Sequence, residues 1–329
     1  MSCAFTSCLA GLIDRYLTLM VALGRGYALE RRVLTHLDRH LSRHHSRDLS
    51  CTEFDEWCKS IRHMAPGWRR VQMYIVRKFC LYRRRSLASA FVPDTLHFPD
   101  RPPRELPYIF SDRDIRSLLL ACSKLRRTTQ SPLRPHAFRL AVVLLYTSGL
   151  RRGELLGFAL RDYDPAAKTL LIRETKFYKS RYIPLSADGD QELQRYLVVR
   201  GKLGFSMRPD SPLFYNGNAQ RRTYSIAGLQ TGLYELMDSC GIRKANGRVP
   251  RVHDFRHGFA IRSLLRWYHA GADVQSKLPL LSAYMGHISI SSTEYYLSFV
   301  PELAAAASER FRARCGSLIE PQCGGKVHE

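Results

Sequence analysis

Between Thr147 and Ser298 the chain carries five widely separated polar signals: Arg151 with Glu154, Lys176, His253 with Arg256, His287, and Tyr296. They fall in the chain order that transesterification of a phosphodiester without a metal ion requires. Their joint occurrence carries the inference, since an arginine and a glutamate three apart on a helix usually form a surface ion pair and a tyrosine near a C-terminus usually packs. Attack on a phosphodiester places extra negative charge on the non-bridging oxygens. Arginine meets it well, because its planar fork donates two parallel hydrogen bonds and never loses its proton. Arg151 and Arg256, on separate helices, can clamp both oxygens. A phenol with its ordinary pKa of about 10 is a poor nucleophile until nearby cations stabilise the phenolate, and two arginines with two histidines supply them. Tyr295 and Tyr296 adjoin, and on a helix they diverge by about 100°, so one meets the phosphate while the other packs.

The remaining signals each have a chemical and a plainer use. His253 and Arg256 share a helix face at i and i+3; the imidazole can accept the tyrosine proton, with Asp254 starting the helix, Phe255 turned to the core, and His257 as the structural histidine. His287 follows Met285-Gly286, where a Gly-His step begins another helix; it either donates to phosphate or caps that helix. Lys176 lies in Thr175-Lys-Phe-Tyr-Lys-Ser-Arg181, where an ammonium on a flexible turn can protonate a departing 5′-oxygen; Lys179 is its rival. Glu154 can fix Arg151 or a neighbouring histidine. Arg152 points away from Arg151 toward solvent or a nucleic-acid backbone.

These groups need elements to carry them. Gly149, in Thr147-Ser-Gly-Leu150, ends a buried apolar helix containing Ala141–Leu145, so that Arg151 sits near the N-terminus of the next one, a place that favours anions. Thr169–Ile172 and Arg181–Pro184 are β-prone and flank the polar run 174–180, which predicts a β-hairpin inside an otherwise helical domain. That domain begins where Ser111 caps a helix with Asp112 and Asp114 in its first turn. Residues 91–107 hold five prolines and little periodicity, hence a linker. Before it, residues 1–93 read as a small helical bundle, with apolar spacing over Leu9–Leu41, a break at Ser46–Ser50, a helix starting at Thr52, and another from about Gly67 to Arg85. In that last helix Val71, Tyr74, Ile75, Lys78 and Phe79 form the packed face, and the arginines form a cationic one.

A chain of 329 residues suits two domains, each with its own core. With 51 Lys and Arg against 29 Asp and Glu, the net charge is +22, which points to a polyanionic partner and, with so much arginine, to nucleic acid. Residues 1–93 alone hold 16 basic and 7 acidic residues, so both parts of the chain should touch backbone phosphate. The nine cysteines form no CxxC pair, as expected of reduced thiols in a cytoplasmic protein, and Asp14 and Arg15 interrupt the apolar run 4–23, which reads as an amphipathic helix rather than a signal or membrane segment. No glycine-rich phosphate loop and no acidic cluster suited to magnesium is apparent, so neither a cofactor nor a catalytic metal is implied.

In order, TSGLRRGELL, TKFYKSRYIPL, HDFRH, MGH and SSTEYY resemble the motifs TGLRxxEL, GKGxKxRxxPL, HxLRH, LGH and the terminal nucleophile of the tyrosine recombinase, or phage integrase, family, over roughly residues 110–300. The resemblance implies a mainly α fold with a small β-hairpin or sheet: a helical, SAM-like core-binding domain (1–93), a linker (94–109) and a catalytic domain (110–329) closing as a C-shaped clamp on duplex DNA. It implies Arg151 and Arg256 as the phosphate clamp, Lys176 as general acid, His253 as acid/base, His287 as supporting donor and Glu154 as the orienting carboxylate. In the family the nucleophile follows the LGH histidine by nine residues, which selects Tyr296. Met285 replaces the usual Leu, Gly258 stands where Thr or Ser is common, and the segment between the two histidine motifs is longer than usual; none of these removes a catalytic group.

The implied reaction makes a 3′-phosphotyrosine, frees a 5′-hydroxyl and conserves bond energy without ATP. The implied context is a bacterial mobile element that integrates or transposes DNA near the nucleoid. The implied assembly is a cyclic homotetramer, with or without sister recombinases, in which the helix-prone segment after Pro301, with its stripe of Leu303, Ala306, Ala307 and Phe311, passes to the next protomer. A type IB topoisomerase and a catalytically silent DNA-binding protein are the alternatives; strand joining between duplexes separates the first from a recombinase, and a covalent adduct excludes the second.

Overall fold

The computed structural model describes residues 5–24, 26–101, 103, 105–129, 131–173, 180–216, 223–286, 305, 308, 309 and 312. The chain divides into two compact units, Met1–Glu105 and a second spanning Leu106–Thr175 and Ser180–Glu329.

The first unit contains α1 (Ala10–Ala22), α2 (Ala28–Arg43), α3 (Cys51–Ser60) and α4 (Pro66–Arg84). On α2, Val33, Leu34, Leu37 and Leu41 recur at helical spacing and are buried with Ile13, Leu17, Trp57, Val76 and Phe79 in one core. Asp38, also buried, accepts hydrogen bonds from the backbone N–H groups of Thr6 and Ser7, fastening the preceding chain to α2. α3 starts at Cys51, one residue before the expected Thr52, and Ser50 is its cap, whose hydroxyl accepts from the Glu53 N–H.

α4 corrects the sequence reading in two ways. Val71 and Lys78 are exposed, and the buried face is made by Gln72, Met73, Ile75, Val76, Phe79 and Cys80. Several of its arginines also serve the protein itself. Arg70 donates to the Pro99 carbonyl, Arg77 to the Pro93 carbonyl and Arg84 to the Ala90 carbonyl, while Arg83, buried, pairs with Asp48. The cationic face is partly a set of staples for the proline-rich segment, whose Phe98 enters the same core.

The second unit contains α5 (Asp112–Ser123), α6 (Arg134–Ser148), α7 (Arg152–Gly157), α8 (Ala187–Lys202), α9 (Ile226–Ser239), α10 (His253–His269), α11 (Val274–Met285) and a three-stranded antiparallel sheet. Leu140, Ala141, Val142, Leu144 and Leu145 are all buried because α6 is apolar around its whole circumference and is the central helix, packed by α5, α8 and α10. β2 (Thr169–Ile172) pairs with β3 (Arg181–Pro184) in the register Thr169 to Pro184 and Ile172 to Arg181, the hairpin that the sequence predicts. A two-residue strand, β1 (Tyr163–Asp164), adds to the outer side of β2. Ser111 and Asp114 form the expected capping box at the start of α5. Phe255 of α10 is fully buried and stacks on Phe110 with ring centroids 4.0 Å apart, so the helix carrying His253 and Arg256 is locked to the core between those two residues. Among the described residues, no helix is long and apolar enough to cross a membrane.

Candidate active site

The site is built from three chain breaks. At the first, α6 ends at Gly149, whose φ is +60°, and a Cβ there would stand 2.7 Å from Cδ1 of Phe259, so both the backbone conformation and the close packing require glycine. The chain turns at once into α7 with Arg151 at its cap position. Glu154 answers Arg151 twice: Oε2 accepts the Arg151 backbone N–H at 2.9 Å and Oε1 accepts Nη1 at 2.7 Å. The carboxylate is therefore the orienting group for Arg151, and Oε1 also accepts from Nη2 of Arg181 at 3.0 Å. Burial pushes the Glu154 carboxyl up, but the Arg151 N–H, the Arg181 charge and the Arg151 guanidinium together outweigh it and hold the pKa below the ordinary value.

At the second break, Arg251-Val252 leads into α10. Asp254, fully buried in the first turn, reaches back to the Arg251 N–H, binds the Arg251 guanidinium and pairs with Lys244 at 3.2 Å. The helix starts at His253, one residue before the expected Asp254, and Asp254 holds that start together from within the first turn, bringing in two cations, Arg251 and Lys244, that the sequence does not single out. Arg256, only 2% exposed, donates from Nη1 to the Gly149 carbonyl at 2.8 Å and from Nη2 to the Met285 carbonyl. At the third break, Gly286 closes α11 in the left-handed conformation, and its carbonyl accepts from Nη2 of Arg151 at 2.8 Å. Arg151 and Arg256, from separate motifs, are thereby brought to neighbouring carbonyls at one helix end.

His253 stands at the first position of α10 with its ring 4.6 Å from that of His257. Burial, followed by the charges of Arg256, Arg251 and Arg151, pushes the His253 imidazole down to about 4; burial and then His253 itself push His257 down to about 4. His253 is nevertheless open to solvent on one side, so water tempers the burial effect and a ligand can reach the ring. Both rings are neutral at pH 7, and a neutral imidazole can take a proton. Stability should follow. Between the ordinary histidine pKa of 6.5 and about 4, the unfolded chain binds protons that the folded chain refuses, so stability falls as pH drops through that window. In urea titrations at pH 7 and pH 5, the double substitution His253→Asn with His257→Asn should flatten this loss; an undiminished loss would show that the pair does not cause it.

Lys176, His287 and Tyr296 lie outside the described residues, as does Lys179. The elements that lead to them are described: β2 and β3 flank the lysine segment, and Gly286 immediately precedes His287. Arg152, expected to face solvent or DNA, instead contacts the Gln230 side chain of α9.

The sequence profile of the phage integrase family matches residues 110–301, more than half of the chain. The chain belongs to the phage integrase family of tyrosine recombinases. Among its relatives is y4rB of Sinorhizobium fredii (strain NBRC 101917 / NGR234), provisionally named an integrase/recombinase, which is 35% identical over 260 residues, covering 78% of this chain and 82% of the relative. The tyrosine recombinase XerC of Myxococcus xanthus is 29% identical over 236 residues, covering 70% of this recombinase and 71% of XerC. In fold, the enzyme is similar to the Tn1549 transposon integrase solved in complex with transposon right-end DNA, with a TM-score of 0.61 at 17% identity over 93% of this chain and 99% of that one. The mainly helical fold with a small antiparallel sheet, and the enzyme class, tyrosine-type site-specific recombinase, are those that the motifs imply.

Proposed function

We propose that this recombinase cuts and rejoins duplex DNA through a 3′-phosphotyrosyl intermediate, with Tyr296 as nucleophile. The observation that carries the proposal is the convergence of Arg151 and Arg256 at the α6–α7 break, where Arg256 binds a carbonyl 107 residues away in the chain and Glu154 fixes Arg151. Two guanidinium groups so placed suit the two non-bridging oxygens of one phosphate. In the forward step the Tyr296 oxygen bonds to phosphorus and the bond from phosphorus to the 5′-oxygen breaks. His253 takes the phenol proton, and Lys176 gives a proton to the leaving 5′-oxygen. The arriving phosphate also helps the base, because His253 is held low by burial and then by the arginine charges, and an anion beside it offsets the second of these. His287 donates to the phosphate. Attack by a 5′-hydroxyl from a partner strand reverses the step, conserving the number of phosphate ester bonds, so no cofactor is called for.

The domain reading, the assembly and the setting belong to the same proposal. Residues 1–93 serve as the core-binding domain, the catalytic domain begins near residue 110, and the two clamp double-stranded DNA. Four copies form the synapse, with or without a sister recombinase. The net charge of +22 keeps the enzyme on DNA in the bacterial cytoplasm, and the XerC relative together with the fold of the Tn1549 integrase supports site-specific recombination, at a mobile element, over topoisomerase action.

The test uses nicked duplexes carrying the ends of the genetic element that encodes the chain. A detergent-resistant covalent adduct and joined strands from two different duplexes are expected. Relaxation of supercoiled plasmid without such joining would make it a topoisomerase, and binding without an adduct would leave a silent DNA-binding protein.

A further inference from the structure

Arg181 occupies the arginine position of the motif GKGxKxRxxPL, and the proposed reaction steps give it no part. It is the first residue of β3, and its pairing with Ile172 anchors its backbone in the sheet. An arginine at a hairpin end usually extends into solvent, yet this side chain is only 14% exposed. Its fork is turned inward. Nη2 donates to Oε1 of Glu154 at 3.0 Å, and Nε donates to the Tyr284 carbonyl at 2.8 Å. The group also lies against Gly286, where a Cβ would stand 2.8 Å from Nη1 and 3.0 Å from Cζ.

The contacts form a pattern at the end of α11. The carbonyls of Tyr284, Met285 and Gly286 accept, in order, from Arg181, Arg256 and Arg151. Cations there are favoured, because the last carbonyls of a helix lack intrahelical partners and carry its negative end. Two of the three arginines are the proposed phosphate clamp. The third is joined to the clamp through Glu154, whose Oε1 it shares with Nη1 of Arg151. Arg181 therefore ties together the carboxylate that orients Arg151 and the helix end from which His287 departs.

We propose that Arg181 is a positioning residue for strand cleavage, locking the Arg151–Glu154 pair to the C-terminus of α11 so that the clamp is held in one geometry. Its nitrogens face the carboxylate, the main chain and a glycine, so in this assignment Arg181 acts through Glu154 rather than on the phosphate itself. A lysine cannot replace it, since a single ammonium on a flexible stem does not span Glu154 and the Tyr284 carbonyl in a fixed fork. The same packing explains why position 286 takes glycine: its φ is +62°, and any side chain would displace the Arg181 guanidinium.

The inference rests on Arg151 acting on the scissile phosphate, and the experiment separates the two claims. Full-length wild type and the Arg181→Ala, Arg181→Lys and Arg151→Ala variants are compared on a nicked suicide duplex carrying the element ends. The measurements are duplex affinity, the fraction of molecules able to form adduct, and the single-turnover cleavage rate of that fraction. Arg181→Ala and Arg181→Lys should cleave about 10- to 100-fold slower per active molecule, the scale expected when reacting groups are displaced by about an ångström, with duplex affinity changed by less than about threefold. On a duplex whose scissile phosphate is a neutral methylphosphonate, a misplaced cation matters less, so the gap between wild type and Arg181→Lys should narrow.

If Arg181 serves folding alone, its variants lower the active fraction and leave the rate per active molecule unchanged on both substrates, which overturns the proposal. Full activity in Arg181→Lys overturns it as well, and so does a gap of the same size on both substrates. Should Arg181→Ala not fold, Arg181→Lys, which keeps the charge and the stem, decides. Normal cleavage by Arg151→Ala would instead overturn the reading of the site, whereas a slow Arg151→Ala beside unimpaired Arg181 variants would remove only the role of Arg181.

Discussion

Tyr296→Phe should abolish covalent attachment to DNA while leaving duplex binding nearly intact, and Tyr295→Phe should remain active. The hydroxyl supplies the bond to phosphorus, and no neighbouring group restores it; the same hydroxyl adds little to an interface whose affinity comes from many phosphate contacts. The choice between adjacent tyrosines rests on spacing, since 296 lies nine residues beyond His287 as the family pattern requires. On a helix, which the sequence predicts for this stretch, neighbouring side chains diverge by about 100°, so only one of the two could meet the phosphate. The structure adds a reason for an anion here. Arg151 and Arg256 converge at the end of α11, which closes at Met285 before the chain runs on to Tyr296, and phenolate needs such cations to form near neutral pH. Trapping on a suicide duplex followed by denaturing gels is the measurement; an adduct that survives Tyr296→Phe and vanishes in Tyr295→Phe reverses the assignment.

Local rules carried much of this fold. The strands β2 and β3 were legible because Thr169–Ile172 and Arg181–Pro184 are short β-prone runs set off by a polar stretch, and the hairpin closes on itself without help from distant chain. Gly149 was legible for a similar reason: an apolar helix must stop somewhere, and only glycine takes φ of +60° at no cost. Ser111 with Asp114 is a purely local capping box. The Arg151–Glu154 pair was legible as geometry on one turn, although the second cation on Glu154 was not.

What escaped the sequence depends on contacts between distant segments. The arginines of α4 read as a free cationic face, and nothing local distinguishes Arg70 or Arg77 from a solvated arginine until the proline-rich segment folds back and offers its carbonyls. Arg181 is the same case at the site, because its partners, Glu154 and Tyr284, lie 27 and 103 residues away. Lys244 reaches Asp254 from a separate loop. β1 has two residues, too few for any alternation to show, and exists only because β2 offers an edge. A guanidinium has five donors and a long reach, so its destination is set by the carbonyls and carboxylates that the tertiary fold brings near, which periodicity does not encode.

Lys176→Ala should slow cleavage by about 10²- to 10⁴-fold on ordinary DNA, the usual worth of general acid catalysis, and much less on DNA with a 5′-bridging phosphorothioate. A departing 5′-oxygen leaves as a strongly basic alkoxide unless it receives a proton as its bond to phosphorus breaks, and no metal ion has a part in the proposed step. Sulfur leaves as a stable thiolate and needs no proton. β2 and β3 are fixed by their ladder, and in sequence Lys176 lies in the polar segment between them, where it offers an ammonium on a long stem. The clamp arginines predict the opposite behaviour, because the charge they meet lies on the non-bridging oxygens, which the sulfur substitution leaves in place. Arg256→Ala should therefore stay slow on both substrates while Lys176→Ala recovers on the phosphorothioate. Single-turnover rates on the paired duplexes decide, and equal impairment of Lys176→Ala on both would take the acid role away from Lys176 and move the search to the remaining cations of the site.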